Sequence, residues 1–402
     1  MRTQLFKSIT IIGLIGVLLS CEKEEIPVRG INLSETNVVL SVDSAITLLT
    51  EIEPLDASNK TLSWSSSDNT IAQVSSDGII SGISPGTAII TVKSNDGLLK
   101  TCSVDIFQII EHDPINEIPL GVSPFMAFDD NDNLWYGGAG GLCKMGFDGS
   151  GWQFFPLNTE VQAFDFDSEN NLWVATLSMG LLKFDGQTWY SYDTSNSEIP
   201  TNTVGSIGID NNDKIWIGPA NDYDSYNKNR VASFDGTQWK IYDSEECLVE
   251  ESFVYDIIAD HQNNIWCGHT KNVSMFDGSV WSSVITDKNI TYLGALNIKE
   301  DNKNNIWIAS NGHGVFKFDG TNTINYNTTN SDLSSDYIYS LITDEKGNIW
   351  LGFGDGILRF DGEECIDLRY RDFHIFDIRA SAIDSKGNKW FASPTKIYEL
   401  ID

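Results

Sequence analysis

The stretch Ile342-Thr343-Asp344-Glu345-Lys346-Gly347-Asn348-Ile349-Trp350-Leu351-Gly352 decides the fold, because versions of it occur seven times in the chain. The repeated tryptophans are Trp135, Trp173, Trp216, Trp266, Trp307, Trp350 and Trp390. Six residues before each stands an aspartate: Asp129, Asp167, Asp210, Asp260, Asp301, Asp344 and Asp384. Asparagine lies two residues before the tryptophan in six units, and Lys214 is the exception. Six units carry Phe-Asp-Gly downstream, beginning at Phe147, Phe184, Phe234, Phe276, Phe318 and Phe360. Spacings between tryptophans of 38, 43, 50, 41, 43 and 40 residues are those of stacked units that cannot bury an apolar face alone.

Working outward from Trp350, one unit reads as four strands. An apolar strand, Ser340-Leu-Ile-Thr-Asp344, ends at the repeat aspartate, whose carboxylate is placed to accept backbone N–H groups of its own turn. The tryptophan strand Ile349–Gly352 follows, then Gly356-Ile-Leu-Arg-Phe360, and Asp361-Gly362 marks a hairpin because glycine accepts positive φ. The fourth strand is clearest as Trp189-Tyr-Ser-Tyr192 and Trp239-Lys-Ile-Tyr242. Apolar neighbours on both sides of each tryptophan, as in Ile306-Trp307-Ile308, call for sheets covered on both faces. The expected architecture is an all-β seven-bladed β-propeller over residues 108–402, each tryptophan filling the gap between blades. A β-solenoid is disfavoured, since its coils are shorter and lack hairpin signals.

The seventh unit ends at Tyr398-Glu-Leu-Ile-Asp402 without a fourth strand, which would leave a sheet edge bare. The apolar stretch Ile106–Leu120, ahead of the first unit, is expected to supply that strand and close the ring. The repeat text resembles the two-component regulator propeller family. That resemblance implies a sensor region placed ahead of a membrane span and a kinase. Here the chain stops at Asp402 with neither, so signalling by this polypeptide alone is not expected, and the resemblance implies a ligand-facing propeller.

At the other end, Arg2 and Lys7 precede an apolar run from Ile9 to Leu19 and then Leu18-Leu19-Ser20-Cys21. A charged start and a short apolar core describe a secretory signal over residues 1–20, too short for an ordinary span. Cys21 directly after it resembles a lipoprotein lipobox and would be the lipidated first residue. An acidic tether, 21–27, follows; its Glu22, Glu24 and Glu25 resemble the surface-export signal of Bacteroidetes lipoproteins. The expected location is the cell outer membrane, lipid-anchored and facing outward. The chain has 26 Lys and Arg against 57 Asp and Glu, for a net charge of −31. With Arg2 and Lys7 gone the net becomes −33, which repels nucleic acid and anionic lipid surfaces.

Residues 28–107 alternate apolar and polar residues in short bursts divided by turn residues, the pattern of a β-sandwich. Leu62-Ser-Trp64-Ser with Val74-Ser-Ser-Asp-Gly78 and Gly82-Ile-Ser-Pro-Gly86-Thr-Ala-Ile-Ile-Thr-Val92 resembles a bacterial Ig-like domain of group 2, which implies a spacer or adhesive module. Gly82-Ile83-Ser84-Pro85-Gly86 matches the nucleophile-elbow pattern GxSxG. It lies between two strands rather than on a strand-to-helix turn, so Ser84 is not read as catalytic. Besides Cys21 there are Cys102, Cys143, Cys247, Cys267 and Cys365, an odd set without CxxC. Buried thiols are expected, with a Cys247–Cys267 bridge left open by the oxidising compartment.

Binding residues favour variable loops on a rigid scaffold, here the loops after each tryptophan strand and between blades. The candidates are Tyr223, Tyr226 and Arg230 of the longest insertion, with His269, Asn311, His313, Phe353, Asp355, Arg371 and His374. Aromatics beside amides, carboxylates and arginine suit stacking on sugar rings while bonding their hydroxyls. No HExxH, GxxxxGK or dinucleotide glycine loop is present. No cofactor or metal is expected. Calcium is the one ion the acidic turns leave open, and DxxxN lacks the ligands of a dedicated calcium loop. The expected function is a binding module for a glycan or a partner protein, with no nucleic acid involved. The alternative is a metal-assisted lyase or hydrolase at the axis, where His269, His313 and His374 would converge; streptogramin lyases are seven-bladed propellers of that kind.

Overall fold

The computed structural model describes residues 25–112, 125–146, 151–220, 230–249, 253–285, 290–362, 365–368 and 375–402. Cys21, Tyr223, Tyr226, Arg371 and His374 lie outside these ranges. Strands dominate, with one short helix, Ser244–Cys247, among the described residues.

The first unit is a β-sandwich. Leu62–Ser66, Gly86–Ser94 and Leu99–His112 pair antiparallel, and Asn37–Ser41 adds parallel to the last of these. Ala45–Thr47, Ile79–Gly82 and Ala72–Val74 form the facing sheet. Alternation along Gly86–Ser94 sends Ala88 and Ile90 inward to meet Val38, Leu40, Ile80, Val104 and Ile106, and Val92 to meet Val28, Ile31 and Ala57. Trp64 packs against this core, and Gly78 at φ +80° lets the indole approach where a Cβ would sit 2.9 Å away. Ser84 is a turn residue whose Oγ donates to the Thr70 carbonyl at 2.7 Å.

Seven antiparallel sheets follow. Six have four consecutive strands, as in Ser340–Thr343, Ile349–Phe353, Gly356–Phe360 and Cys365–Asp367. The seventh has three, Ala380–Ile383, Lys389–Ala392 and Ile397–Ile401, and receives its fourth from the sandwich. The 14-residue strand Leu99–His112 serves both units. Its first part pairs within the sandwich, ending with Ile106 on Gly86 and Phe107 on Ser41. Residues 108–112 pair with Ile397–Ile401, from Gln108 on Ile401 to His112 on Ile397. Phe107 is buried among Ile342, Trp350 and Leu400, and Arg359 bonds Asp105 at 2.9 Å. The sandwich and the wheel are therefore joined by a hydrogen-bonded strand and packed side chains.

The ring closes between blades 7 and 1, where Trp390, Ala392 and Ile397 share a core with Met126, Leu134 and Tyr136. Ser385 N and Oγ also donate to Asp132 across that seam, at 2.9 and 2.8 Å. In all seven blades the tryptophan Nε1–H donates to the repeat aspartate Oδ2, at 2.8 to 3.1 Å. The same carboxylate accepts the backbone N–H four residues on in each turn, as the sequence led us to expect. Burial raises the affinity of Asp129, Asp167, Asp301 and Asp344 for a proton, but bonds from Trp and Asn outweigh it and hold each carboxyl below its ordinary range. The third residue after each aspartate has positive φ, which explains the run Asp132, Asn170, Asp213, Asn263, Asn304, Gly347 and Gly387 there.

Candidate functional site

The innermost strand of each blade runs down the axis from the loop face to the aspartate turns. In blades 2 to 5 its register slips once against the tryptophan strand, between Val161 and Ala163, Val204 and Ser206, Val254 and Asp256, and Ala295 and Asn297. A bulge of this kind leaves one residue unpaired and re-aims its side chain. The skipped residues are Gln162, Gly205, Tyr255 and Leu296, each eleven positions before its repeat tryptophan. The same offset gives Tyr339 and Arg379 in blades 6 and 7. All six line a cavity of about 610 Å³ on the axis, a volume ordinary for a ligand pocket.

One side of the mouth is aromatic and the other is small. Phe253, Tyr255, Tyr292 and Tyr339 crowd blades 4 to 6, while Gly205 and Ala220 leave room in blade 3. Arg379 stacks over the Tyr339 ring at 4.1 Å and donates from Nε to Asp377 at 2.6 Å. Burial, and then the neighbouring Tyr292 hydroxyl, push the Tyr255 phenol up to about 12, so it remains a donor at any physiological pH. Tyr292 is 44% exposed at the rim, with Asn311 Nδ2 3.4 Å from its hydroxyl.

Deeper in the cavity the lining turns polar. Asp256 accepts from Asn297 Nδ2 at 3.1 Å and from the Ile298 amide at 2.7 Å, and Asn297 Oδ1 accepts from the Leu341 amide at 3.0 Å. These bonds tie inner strands of successive blades together through amides their own sheets leave unpaired. Asp165 does the same for the Ile209 amide at 3.1 Å. Asp165 keeps some solvent-facing surface yet sits deep among protein atoms; burial there, only partly offset by its amide bonds, moves its carboxyl up to about 6. Lys299, opposite Trp307 in register, is the deepest lining residue, and no hydrogen bond or ion pair reaches its ammonium among the described residues.

The candidates read from sequence distribute as follows. Asn311 lines the cavity. His313 stands beside it, half-buried, with Nε2 held 2.9 Å from the Tyr292 carbonyl oxygen. Asp355 is exposed on a turn, and Arg230 is bonded to Asp243 at 3.0 Å on the outer part of blade 3. Phe353 is not a loop residue. The tryptophan strand continues through it, and it is fully buried among Leu333, Ile338 and Leu358. His269 is likewise interior, 1% exposed with neither ring nitrogen bonded among the described residues, and does not line the cavity. The convergence of histidines on the axis is thus absent among the described residues. Cys247 and Cys267 share one apolar cluster as free thiols, so the bridge left open by the sequence is not formed.

His269 carries a pH prediction. Burial, with Lys271 adding to it, lowers its pKa from 6.5 to about 4. The unfolded chain takes a proton first as pH falls below 6.5, so stability drains away down to about 4, by about 3 kcal/mol in all. His269→Leu removes both that drain and two orphaned nitrogens. Thermal melts of variant and parent should therefore diverge in the variant's favour between pH 6.5 and 4.5. Parallel curves would show that the imidazole is not held neutral.

Comparison with known proteins agrees with this anatomy. Residues 27–104 match the bacterial Ig-like domain (group 2), and residues 332–355 match the two component regulator propeller. An uncharacterized protein of Clostridium acetobutylicum is 35% identical over 97 residues, 23% of this chain and 10% of that protein. An alpha-L-arabinofuranosidase of Bifidobacterium longum is 32% identical over 102 residues, 25% of this chain and 8% of the enzyme. The chain thus spans a tenth or less of the curated relatives it matches. Among solved structures, a streptogramin B lyase superposes with a TM-score of 0.61 at 14% identity, over 73% of this chain and 97% of that one. The extracellular domain assigned to a hybrid two component system of B. thetaiotaomicron gives 0.59 at 16%, over 72% of this chain and 39% of that one. At such identities the likeness is one of fold. No helix among the described residues is long and apolar enough to cross a membrane.

Proposed function

We propose that this Ig-like domain joined to a regulator-type propeller is an extracytoplasmic binding protein that takes a glycan into its axial cavity. In this reading Cys21 carries a lipid, the sandwich holds the wheel off the outer membrane, and the loop face meets the ligand. The observation that carries it is the set of bulged residues: four blades break their own ladders at one cavity, three of them setting a side chain there and the fourth, at Gly205, leaving space. An aromatic wall above a polar floor of Asn297, Asp256 and Lys299 is the lining that sugars use, their apolar faces stacking and their hydroxyls bonding.

The test is calorimetric titration of residues 25–402 against neutral and acidic oligosaccharides, with the best binder repeated on Tyr255→Ala and Tyr339→Ala. Each substitution should weaken binding at least tenfold, the loss of about 1.4 kcal/mol or more that goes with one good ring contact. Both residues are half-buried at the mouth, so the melting temperature should move little. Binding that survives both substitutions would place the ligand elsewhere. Membrane fractionation of the full chain beside Cys21→Ala tests the anchor: the variant should leave the membrane fraction.

A further inference from the structure

We propose that the cavity receives the uncharged end of a sugar chain, which Lys299 reads from the floor, and rejects ends that carry a carboxylate or sulfate. This rests on the glycan reading above and adds the direction of entry and the charge of what enters.

Direction follows from where the cavity stops. Its lining runs from Tyr292 and Asn311 at the rim, past the bulges, to Lys299. Residues further along the inner strands, such as Phe128, Ile209, Glu300 and Ile383, take no part in it. A space that opens on the loop face and ends on a side chain admits a chain end more readily than a chain interior.

Charge follows from what surrounds the ammonium. Lys299 lies within electrostatic reach of both Asp165 and Asp256. Neither carboxylate is free to swing onto it, because their oxygens hold the Ile209, Ile298 and Phe166 amides and Asn297 Nδ2. The ammonium thus keeps its donors while its charge is already balanced. An anion docking on it gains one close attraction, is opposed by the two carboxylates that already sense the ammonium, and loses its hydration shell. A hydroxyl or ring oxygen accepts the same N–H bonds without those costs. The field of a chain with net charge −31 opposes anions from further away.

The experiment uses residues 25–402 at pH 7.5. Titrants are linear tetrasaccharides of glucose, mannose, xylose and arabinose, against a galacturonate tetrasaccharide and a sulfated galactose tetrasaccharide. At least one neutral compound should bind, at least tenfold tighter than either acidic one. Lys299→Met should weaken the neutral binder tenfold or more, and Lys299→Gln, which keeps a donor, should recover part of that loss. Acidic compounds binding more tightly than neutral ones overturn the inference and leave the glycan reading standing. Unchanged affinity in Lys299→Met removes the floor contact and overturns it equally. If no compound in either series binds, the glycan reading falls and takes this inference with it. The comparison of neutral and acidic compounds on the parent chain stands even if Lys299→Met fails to fold.

Discussion

A chain that begins at residue 113 should fail to form a soluble monomer, whereas one that begins at residue 105 should fold. Between the two starts lies the fourth strand of the last blade. Without residues 108–112 the strand Ile397–Ile401 presents a bare edge, and the ladder of five register pairs is lost. Phe107, 1% exposed, leaves its place against Trp350, and Ile109 leaves the same core. Each such apolar side chain is worth about 1.5–3 kcal/mol when buried. Together with the ladder this approaches the 5–15 kcal/mol that holds a typical domain, and an open edge recruits further chains. Light scattering after size exclusion, with melts followed by circular dichroism, distinguishes the outcomes. A monomeric 113–402 chain that melts as cooperatively as 105–402 would show that the wheel holds without its borrowed strand.

That dependence was legible in the sequence because the seventh repeat visibly lacks an ending and an apolar stretch precedes the first. The bond from each tryptophan to its aspartate was not. The spacing of six residues is plain, but whether a carboxylate serves only its own turn or also the indole beside it depends on how the hairpin folds back. Phe353 was placed on a loop because Gly352 looked like a strand end. In the structure Gly352 sits within the strand, its missing side chain making room for Ser340 and Ile378, and the strand runs one residue further. The cavity was the least legible part. Tyr255, Tyr339 and Arg379 share an offset of eleven residues before the tryptophan, but they lie within the apolar inner strand or directly before it, where a search for exposed loops does not look. The signal was there in another form. Asp165, Asp256 and Lys299 are charges on strands whose remaining copies hold only uncharged residues at those places, such as Ala127, Gly208 and Ile342 opposite the tryptophan and Ala163, Ser206 and Ala380 two residues earlier. A charge that most copies of a structural repeat do without is doing something the scaffold does not require.

The tryptophan–aspartate pair can be weighed directly in blade 6. Trp350 is 0% exposed, packs edge-on to Phe107 at 6.1 Å, and donates to Asp344 at 2.9 Å. Trp350→Ala removes that burial and leaves a cavity at the joint of the two units, so a loss of about 4–5 kcal/mol is expected. Asp344→Ala should cost about 2–3 kcal/mol, because it strands the Trp350 Nε1–H together with the Asn348 amide and side chain. The double variant should lose about 1–2 kcal/mol less than the sum, since each single change already breaks the shared bond. Asp344→Asn, which keeps an acceptor, should fall between parent and alanine. Its lost charge also removes a pH dependence: the Asp344 carboxyl titrates below its ordinary 3.8, so the stability it lends is present above that value and lost as pH falls beneath it. Denaturant unfolding of the four proteins measures the cycle. Strict additivity would mean that the seven bonds merely accompany the packing, and that burial of the indoles alone keeps neighbouring blades in register.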